Sequence, residues 1–356
     1  MKQPKLIISV LLALMFLTPI SLKAQISFTV GDINYWITDT DAKEIRVDKY
    51  VGSDDILTLP VPGTVTYDNQ EFTVTSIGAN AFSNCNSLKE INIPSSVTSI
   101  GESAFYGCTN LTNVNIPEGI TSIEDYTFSR CESLREITIP SSVTSIGVNA
   151  FNSCNALREI TIPEGVTSIG DYAFYECHSL SEITIPSSVT SIGESAFYGC
   201  TNLAEVNISE GVTSIGDRAF EGCNNLSEII IPSSVTSIGN RIFYSCSDLA
   251  KVHLPEGLTS IGDYAFSGCG RLHEITIPSS VTSIGERAFS YCNALREITI
   301  PEGVTSIEYE AFRDCIGLKT IILPNSITSI GEKAFYRCIY NHRTTKTNQK
   351  YPSVNL

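Results

Sequence analysis

The sequence is poor in histidine, and its basic residues are fewer than its acidic ones. It contains one tryptophan, two methionines and four histidines, and its 23 lysine and arginine residues are outnumbered by 38 aspartate and glutamate residues. The net charge of −15 makes nucleic acid and anionic membranes unfavourable partners. No Cys-x-x-Cys pair occurs and the histidines are scattered, so no zinc-site spacing is present. We therefore expect no nucleic-acid partner, no bound metal and no cofactor.

Signatures of catalysis are missing as well. An enzyme needs a nucleophile or a base that is held by a partner group. The serines recur only with the repeat described below, the histidines have no acidic residue at a fixed spacing, and no glycine-rich phosphate loop occurs. A site within near-identical repeats would itself exist in near-identical copies. The sequence therefore predicts a protein that is not an enzyme.

The first 24 residues have the pattern of a secretory signal peptide. Lys2 and Lys5 precede an apolar run over residues 6–17, and Lys23 and Ala24 follow it. The run is too short to cross a bilayer, and no later segment reaches that length. We expect cleavage after Ala24, and the absence of a nearby cysteine argues against a lipid anchor. The pattern predicts a secreted or cell-surface protein whose mature chain does not insert into a membrane.

A repeat of 23 residues organises most of the chain. Residues 154–169 return unchanged at 292–307, six periods later, and the tripeptide Thr-Ser-Ile recurs twelve times without a change of register. Every cysteine obeys the same spacing. These are Cys85, Cys108, Cys131, Cys154, Cys177, Cys200, Cys223, Cys246, Cys269, Cys292, Cys315 and Cys338.

A second period of 46 residues lies on the first. After the position usually held by proline, coils with Ser-Ser alternate with coils with Glu-Gly. The alternation places Ser95, Ser141, Ser187, Ser233 and Ser279 between Glu118, Glu164, Glu210, Glu256 and Glu302. Glutamates on every coil would repel each other by about 0.8 kcal/mol at about 5 Å in water. We expect the alternation to reduce this repulsion.

One repeat predicts one coil of a solenoid. Ile160 and Ile162 alternate with polar residues, as in a strand with one buried face, and Pro163 ends that strand because it lacks an N–H. We expect Gly170 to adopt a positive φ and residues 171–174 to form a short helical turn. No single coil can bury its apolar residues alone, but stacked coils form a continuous core.

The cysteines allow two interpretations. Twelve cysteines in an exported protein usually indicate disulfides. A column of equivalent positions, however, points its side chains in parallel, which does not suit the torsion of a disulfide. The spacing favours buried free thiols that fill the core as small apolar groups.

The pattern L-x-x-I-x-I-P-x-x-V-T-S-I-G-x-x-A-F-x-x-C runs from about Ile56 to Cys338. It resembles the 23-residue leucine-rich repeat of BspA-like (Treponema-type) bacterial surface proteins. The resemblance implies a right-handed leucine-rich repeat solenoid, α/β by convention but mainly β, with a parallel sheet on one face and short helical turns. It implies no catalytic residues. Members of the family are exported, and some are adhesins that bind host extracellular-matrix proteins or other bacteria.

Four segments follow from these patterns. We expect a signal peptide at residues 1–24, a β-rich N-terminal cap with a degenerate first coil at 25–72, an array of about 11–12 coils at 73–338, and a C-terminal tail at 339–356. Apolar and polar residues alternate around Trp36 as in a strand, which favours a capping role for this residue over a binding role. The tail is basic, polar and aperiodic, which is typical of a loose cap or a disordered segment.

The candidate binding residues lie in two columns that flank the buried isoleucines of the first strand. We expect both columns to face solvent, and five consecutive glutamates in one of them would lie about 5 Å apart. Arg135, Arg158 and Arg296 directly precede glutamates of this column and are candidates for partial compensation. The predicted binding residues are Glu136, Thr138, Glu159, Thr161, Glu182, Thr184, Glu205, Asn207 and Glu228.

Two hypotheses remain open for this acidic surface. It could dock a protein with basic patches, such as a host extracellular-matrix protein or another bacterial surface protein. Alternatively, it is a solvated face that keeps the sheet soluble, on a protein that binds glycans or serves as an envelope scaffold. The resemblance favours protein binding at a bacterial surface.

Two further columns are weaker candidates. Tyrosines near the predicted turns could contact a partner or a sugar, although packing between coils is the simpler interpretation. They are Tyr106, Tyr126, Tyr172, Tyr175, Tyr198, Tyr244, Tyr264 and Tyr336. The threonines from Thr75 to Thr328 could order water against ice, but such columns commonly bond to the backbone instead.

Overall fold

The computed structural model of the protein describes residues 26–53 and 57–338. The predicted signal peptide and the predicted C-terminal tail lie outside these residues, as does Ile56. The described residues form 28 strands and no helix. The six N-terminal strands are β1 (Ser27–Val30), β2 (Ile33–Asp39), β3 (Glu44–Tyr50), β4 (Thr58–Pro60), β5 (Thr64–Tyr67) and β6 (Gln70–Ile77).

The remaining strands are two to four residues long, and each coil contributes a first and a second strand. They are β7 (Glu90–Asn92), β8 (Ser99–Ile100), β9 (Asn113–Asn115), β10 (Ser122–Ile123), β11 (Glu136–Thr138), β12 (Ser145–Ile146), β13 (Glu159–Thr161), β14 (Ser168–Ile169), β15 (Glu182–Ile185), β16 (Ser191–Ile192), β17 (Glu205–Ile208), β18 (Ser214–Ile215), β19 (Glu228–Ile230), β20 (Ser237–Ile238), β21 (Lys251–His253), β22 (Ser260–Ile261), β23 (Glu274–Ile275), β24 (Ser283–Ile284), β25 (Glu297–Thr299), β26 (Ser306–Ile307), β27 (Thr320–Ile322) and β28 (Ser329–Ile330).

The array is a solenoid of about 11 turns with parallel strands. From β7 onward, each paired residue lies opposite its equivalent in the next coil, as with Glu136 and Glu159 or Ser168 and Ser191. The spacing of 23 residues in the sequence therefore becomes a set of straight columns. The parallel solenoid predicted from the repeat is confirmed.

The core consists of these columns. Ile160, Ile162, Val166, Ile169 and Phe174 are all buried, as are their equivalents in most coils. The phenylalanine rings from Phe82 to Phe335 stack in one line, with neighbouring centroids 5.2–5.8 Å apart. Stacked aromatic pairs contribute beyond their buried area, so each coil depends on its neighbours for stability.

The N-terminal strands continue into the array. They form a sheet in the order β1-β2-β3-β6-β5, and β6 also pairs with β8 of the first coils. Tyr50 lies against Phe82 with ring centroids 6.4 Å apart, and its N–H donates to the carbonyl of Ala81 at 2.8 Å. Tyr50 thus covers the first ring of the phenylalanine column. Trp36 is half-buried under the guanidinium of Arg46, which lies 5.5 Å from the indole centroid.

The segment predicted as a short helical turn is a series of hydrogen-bonded turns. The N–H groups of Tyr172, Phe174 and Glu176 donate to carbonyl groups of the next coil, 22 residues ahead, at 2.7–2.8 Å. A helix would need these donors for its own carbonyl groups. Tyr172 and Glu176 adopt φ of 58° and 55°, which turns alternate N–H groups out of the coil and toward its neighbour.

The predicted positive φ of Gly170 was wrong. The positive φ angles of this coil belong to Tyr172 and Glu176 instead. Glycine is favoured at 170 because a Cβ there would lie 2.6 Å from the carbonyl carbon of Gly147 in the preceding coil, although Glu124 and Glu308 hold the equivalent position in two other coils. The constraint is the close approach of two backbones, which is the other common reason for a glycine.

None of the twelve cysteines, all of which lie in the described residues, forms a disulfide, and all but Cys85 and Cys338 are buried. The thiol of Cys200 donates to the carbonyl of Phe174, 26 residues earlier, at 3.1 Å. Equivalent bonds recur along the column. Burial raises the pKa of the Cys177 and Cys246 thiols to about 12. The cysteine is therefore a buried donor as well as a small core residue.

The 46-residue period has a structural basis in hydrogen bonds between coils. Ser188 Oγ donates to the carbonyl of Val166 at 2.7 Å, and Ser234 Oγ to that of Val212 at 2.6 Å. The same bond recurs at Ser142 and Ser280. The second serine of each of these Ser-Ser coils thus bonds to the Glu-Gly coil before it.

Candidate interaction surface

The nine predicted binding residues lie together on one exposed surface. They occupy the outward positions of β11, β13, β15, β17 and β19, and every one of them is exposed. The isoleucine or valine between each outward pair is buried, so the short strands hold the outward side chains in register. We call this surface the acidic ribbon: Glu136, Thr138, Glu159, Thr161, Glu182, Thr184, Glu205, Asn207 and Glu228.

The glutamates of the acidic ribbon are direct neighbours. Glu136 pairs in register with Glu159, and Glu182 with Glu205. Neighbouring parallel strands lie about 4.8 Å apart, so each pair of carboxylates repels by roughly 0.8 kcal/mol even in water. The repulsion is small for one pair, but it repeats along the column.

Little within the described residues compensates this charge. None of the five ribbon glutamates forms an ion pair with Arg135 or Arg158, nor does Arg296 pair with Glu297, so the expected arginine compensation is not formed in residues 26–53 and 57–338. Glu205 accepts a hydrogen bond from Asn207 at 3.0 Å. The surface therefore presents a line of carboxylates that can accept donors from outside.

The ribbon ends where basic residues enter the same two columns. His253 Nε2 lies 2.9 Å from a carboxylate oxygen of Glu228, and Lys251 Nζ lies 3.6 Å from one of Glu274. The sequence signal for this boundary is the replacement of glutamate by Lys251 in an otherwise acidic column. Ile230, which is 61% exposed, lies beside the boundary.

The tyrosine face is mainly packed between coils. Tyr175 and Tyr198 stack with centroids 4.7 Å apart. Tyr264 lies between Arg241 and Arg287, whose guanidinium carbons are 4.8 and 5.4 Å from its centroid. Of the eight predicted tyrosines, Tyr126 and Tyr336 are exposed and the others are partly buried. Packing accounts for most of this face.

A buried carboxylate on the tyrosine face was not recognised from the sequence. Glu310 is 1% exposed and accepts hydrogen bonds from Arg287 at 2.7 Å and Arg313 at 2.9 Å. Burial alone would raise the pKa of Glu310, but hydrogen bonds from Arg313, Tyr309 and Arg287 outweigh it and lower that pKa to about 2. Arg287 holds the position equivalent to Glu310 in the preceding coil. The ion pair between them is recognised only from the contact of the two coils.

The threonine column bonds to the backbone. Thr167 Oγ1 donates to the carbonyl of Thr144, and Thr190 Oγ1 to that of Thr167, both at 3.2 Å. The same bond recurs at Thr213 and Thr282. These hydroxyl hydrogens link neighbouring coils, which supports the interpretation that they stabilise the solenoid rather than order ice.

Neither a metal-binding cluster nor a membrane-spanning helix is found in the described part of the chain. Between residues 26 and 338, apart from 54–56, no three His, Cys, Asp or Glu side chains converge as a metal site would require. Over the same part of the chain, no helix has the length and hydropathy of a membrane span.

The sequence matches the model of the BspA-type leucine-rich repeat region in six copies, over residues 65–180, 126–250, 167–296 and 282–353. The chain belongs to the BspA-type leucine-rich repeat family. The family and the fold are those of repeat proteins that generally bind proteins and are generally not enzymes. No curated protein matches the chain.

Several solved structures resemble this BspA-type chain. A leucine-rich repeat protein from Bacteroides ovatus is 33% identical, covers 88% of this chain and 92% of its own, and has a TM-score of 0.62. A leucine-rich cell surface protein from Faecalibacterium prausnitzii is 28% identical, with coverage of 83% and 94% and a TM-score of 0.51. A leucine-rich repeat protein from Eubacterium ventriosum is 27% identical, with coverage of 92% and 98% and a TM-score of 0.56.

Proposed function

We propose that this BspA-type protein is exported to a bacterial surface and binds another protein through the acidic ribbon. The observation that carries the proposal is a column of five exposed glutamates. Among the described residues, those from Glu136 to Glu205 have no basic partner and Glu228 meets only His253. Export is supported by the signal-peptide pattern of residues 1–24. The similar protein from Faecalibacterium prausnitzii is described as a cell surface protein.

The partner should present lysine or arginine side chains in a row. The five glutamates span about 19 Å along the solenoid at one per coil. A basic partner would relieve the repulsion between neighbouring carboxylates, so the charge that costs free energy in the unbound protein would favour the complex. Threonine and asparagine beside the glutamates add hydrogen-bonding groups at the same spacing. Host matrix proteins and other bacterial surface proteins with basic patches are the partners that we propose.

The test is binding of the purified chain, residues 25–356, to a panel of immobilised matrix proteins and bacterial surface proteins. The double variant Glu159→Lys/Glu205→Lys should weaken binding by about tenfold or more, and high salt should weaken it further. Glu274→Lys/Glu297→Lys is the matched control, because it changes the same charge in the same column outside the ribbon.

Two outcomes would contradict the proposal. One is binding that does not change with ionic strength. The other is equal loss of binding in the ribbon variant and in the control, which would indicate dependence on net charge rather than on this surface.

A further inference from the structure

A shallow cleft at the C-terminal end of the array has the opposite electrostatic character to the acidic ribbon. It lies at the start of the first strands, one position before the glutamate column. Six residues line it: His273, Asn293, Ala294, Arg296, Gly317 and Lys319. None of them carries a carboxylate, although the chain as a whole has a net charge of −15.

The three basic residues of the cleft occupy one column on three consecutive coils. The four preceding coils place Ser181, Ala204, Ser227 and Ala250 in this column. The repeat therefore does not require a basic residue here. The line of three is a local feature of the last coils.

These basic residues are exposed and lack acidic partners. No ion pair joins His273, Arg296 or Lys319 to a carboxylate within residues 26–53 and 57–338, whereas nearby Arg271 pairs with Asp248 at 3.2 Å. His273 Nδ1 lies 3.1 Å from the backbone carbonyl oxygen of Arg271. Arg296 and Lys319 are therefore positive charges that remain available to a ligand.

We propose that this cleft binds an anionic polysaccharide. Its basic residues recur once per coil, about 4.8 Å apart along the solenoid axis, and a sugar residue of a linear polysaccharide has nearly the same length. Ala294 and Gly317 are small residues two positions before Arg296 and Lys319, and they leave room for a sugar ring beside the charged side chains.

The chemistry of recognition is a salt bridge from guanidinium and ammonium groups to carboxylate or sulfate groups. Asn293 adds a neutral amide that can bond to sugar hydroxyl groups. The cleft lies on coils beyond Glu228, where the acidic ribbon ends, so this proposal is independent of the protein-binding role of the ribbon.

The test measures binding of residues 25–356 to immobilised polygalacturonate, which carries a carboxylate on each sugar, and to dextran sulfate, with neutral dextran as a reference. The double variant Arg296→Ala/Lys319→Ala should weaken binding to the polyanions by about tenfold. The matched control is Arg135→Ala/Arg158→Ala, which removes the same charge from the same column on two other coils. Thermal unfolding of both variants checks that they fold.

The proposal predicts that the control binds like the wild type and that neutral dextran does not bind. Preference between polygalacturonate and dextran sulfate identifies the anionic group that the cleft accepts. Three results would overturn it: no binding of either polyanion, equal loss of binding in both double variants, or binding of poly-glutamate as tight as that of polygalacturonate.

Discussion

The two halves of the sheet face share their buried side chains and differ in their exposed ones. From Glu136 to Glu228 the outward column is acidic, and within the described residues its charge is compensated only at its end. From Lys251 onward, basic residues enter the same face and form ion pairs or line a cleft. One repeat can therefore keep its core constant while its coils differ in how far their surface charges are compensated.

The largest expected effect tests the shared core. Phe174→Ala and Phe266→Ala each remove a fully buried ring from the phenylalanine column, one from each half. Each should lower the free energy of unfolding by about 3–5 kcal/mol. Urea unfolding followed by circular dichroism measures both values. A large loss in one half and little in the other would show that the halves are not equivalent.

An intermediate effect tests the buried charges on the tyrosine face of the C-terminal half. Glu310→Gln should lower stability by on the order of 2 kcal/mol at neutral pH, because it replaces the carboxylate between Arg287 and Arg313. The folded pKa of Glu310, about 2, lies below its ordinary value. The stabilisation is therefore present above about pH 5 and is lost as the pH falls toward about 2.

Thermal midpoints of the wild type and Glu310→Gln, measured across this pH range, check the sign of this pH dependence. The difference between them should shrink as the pH falls. Exposed Glu308→Gln, two residues away, is the control and should show little difference at any pH. A gap between wild type and Glu310→Gln that is constant with pH would contradict the assignment of the low pKa to Glu310.

The smallest expected effect on stability tests whether the two halves of the sheet face differ in charge compensation. Glu182→Lys replaces repulsion from Glu159 and Glu205 with attraction and should raise stability by about 0.5–1 kcal/mol at low salt. Glu274→Lys faces Lys251 instead and should lower stability slightly. Both shifts should fade as salt is added. Shifts of the same sign at low salt would mean that the two halves do not differ in charge compensation.

The columns could be predicted from the sequence, but the contacts between coils could not. The spacing of 23 residues was enough to predict the buried positions of Ile160 and Phe174 and the exposure of Glu159 and Thr161, because burial follows the register of a parallel stack. The positive φ at Tyr172 and Glu176 has only a weak residue signature: glycine holds the position equivalent to Glu176 in four coils, at Gly107, Gly199, Gly222 and Gly268. It arises because alternate N–H groups bond to the next coil, and many residue types occupy those positions.

Charge partners were the least predictable feature of the candidate site. Arg135 and Arg158 are next to glutamates in the sequence yet pair with none of them within the described residues. Glu310 lies between Arg313 of its own coil and Arg287 of the preceding coil, so two neighbouring coils bring the charges together. Side-chain direction at the start of a strand depends on local turn geometry, which the repeat pattern does not specify. The cleft at His273, Arg296 and Lys319 was missed for the same reason.

Docking of a basic ligand at the acidic ribbon is tested most directly by hydrogen exchange of residues 25–356, measured with and without a lysine-rich peptide. Docking at the acidic ribbon should slow exchange in β11, β13, β15, β17 and β19 and leave β23, β25 and β27 unchanged. Glu159→Lys/Glu205→Lys should abolish the protection. Protection spread evenly along the array, or confined to the last coils, would contradict the acidic ribbon as the docking surface.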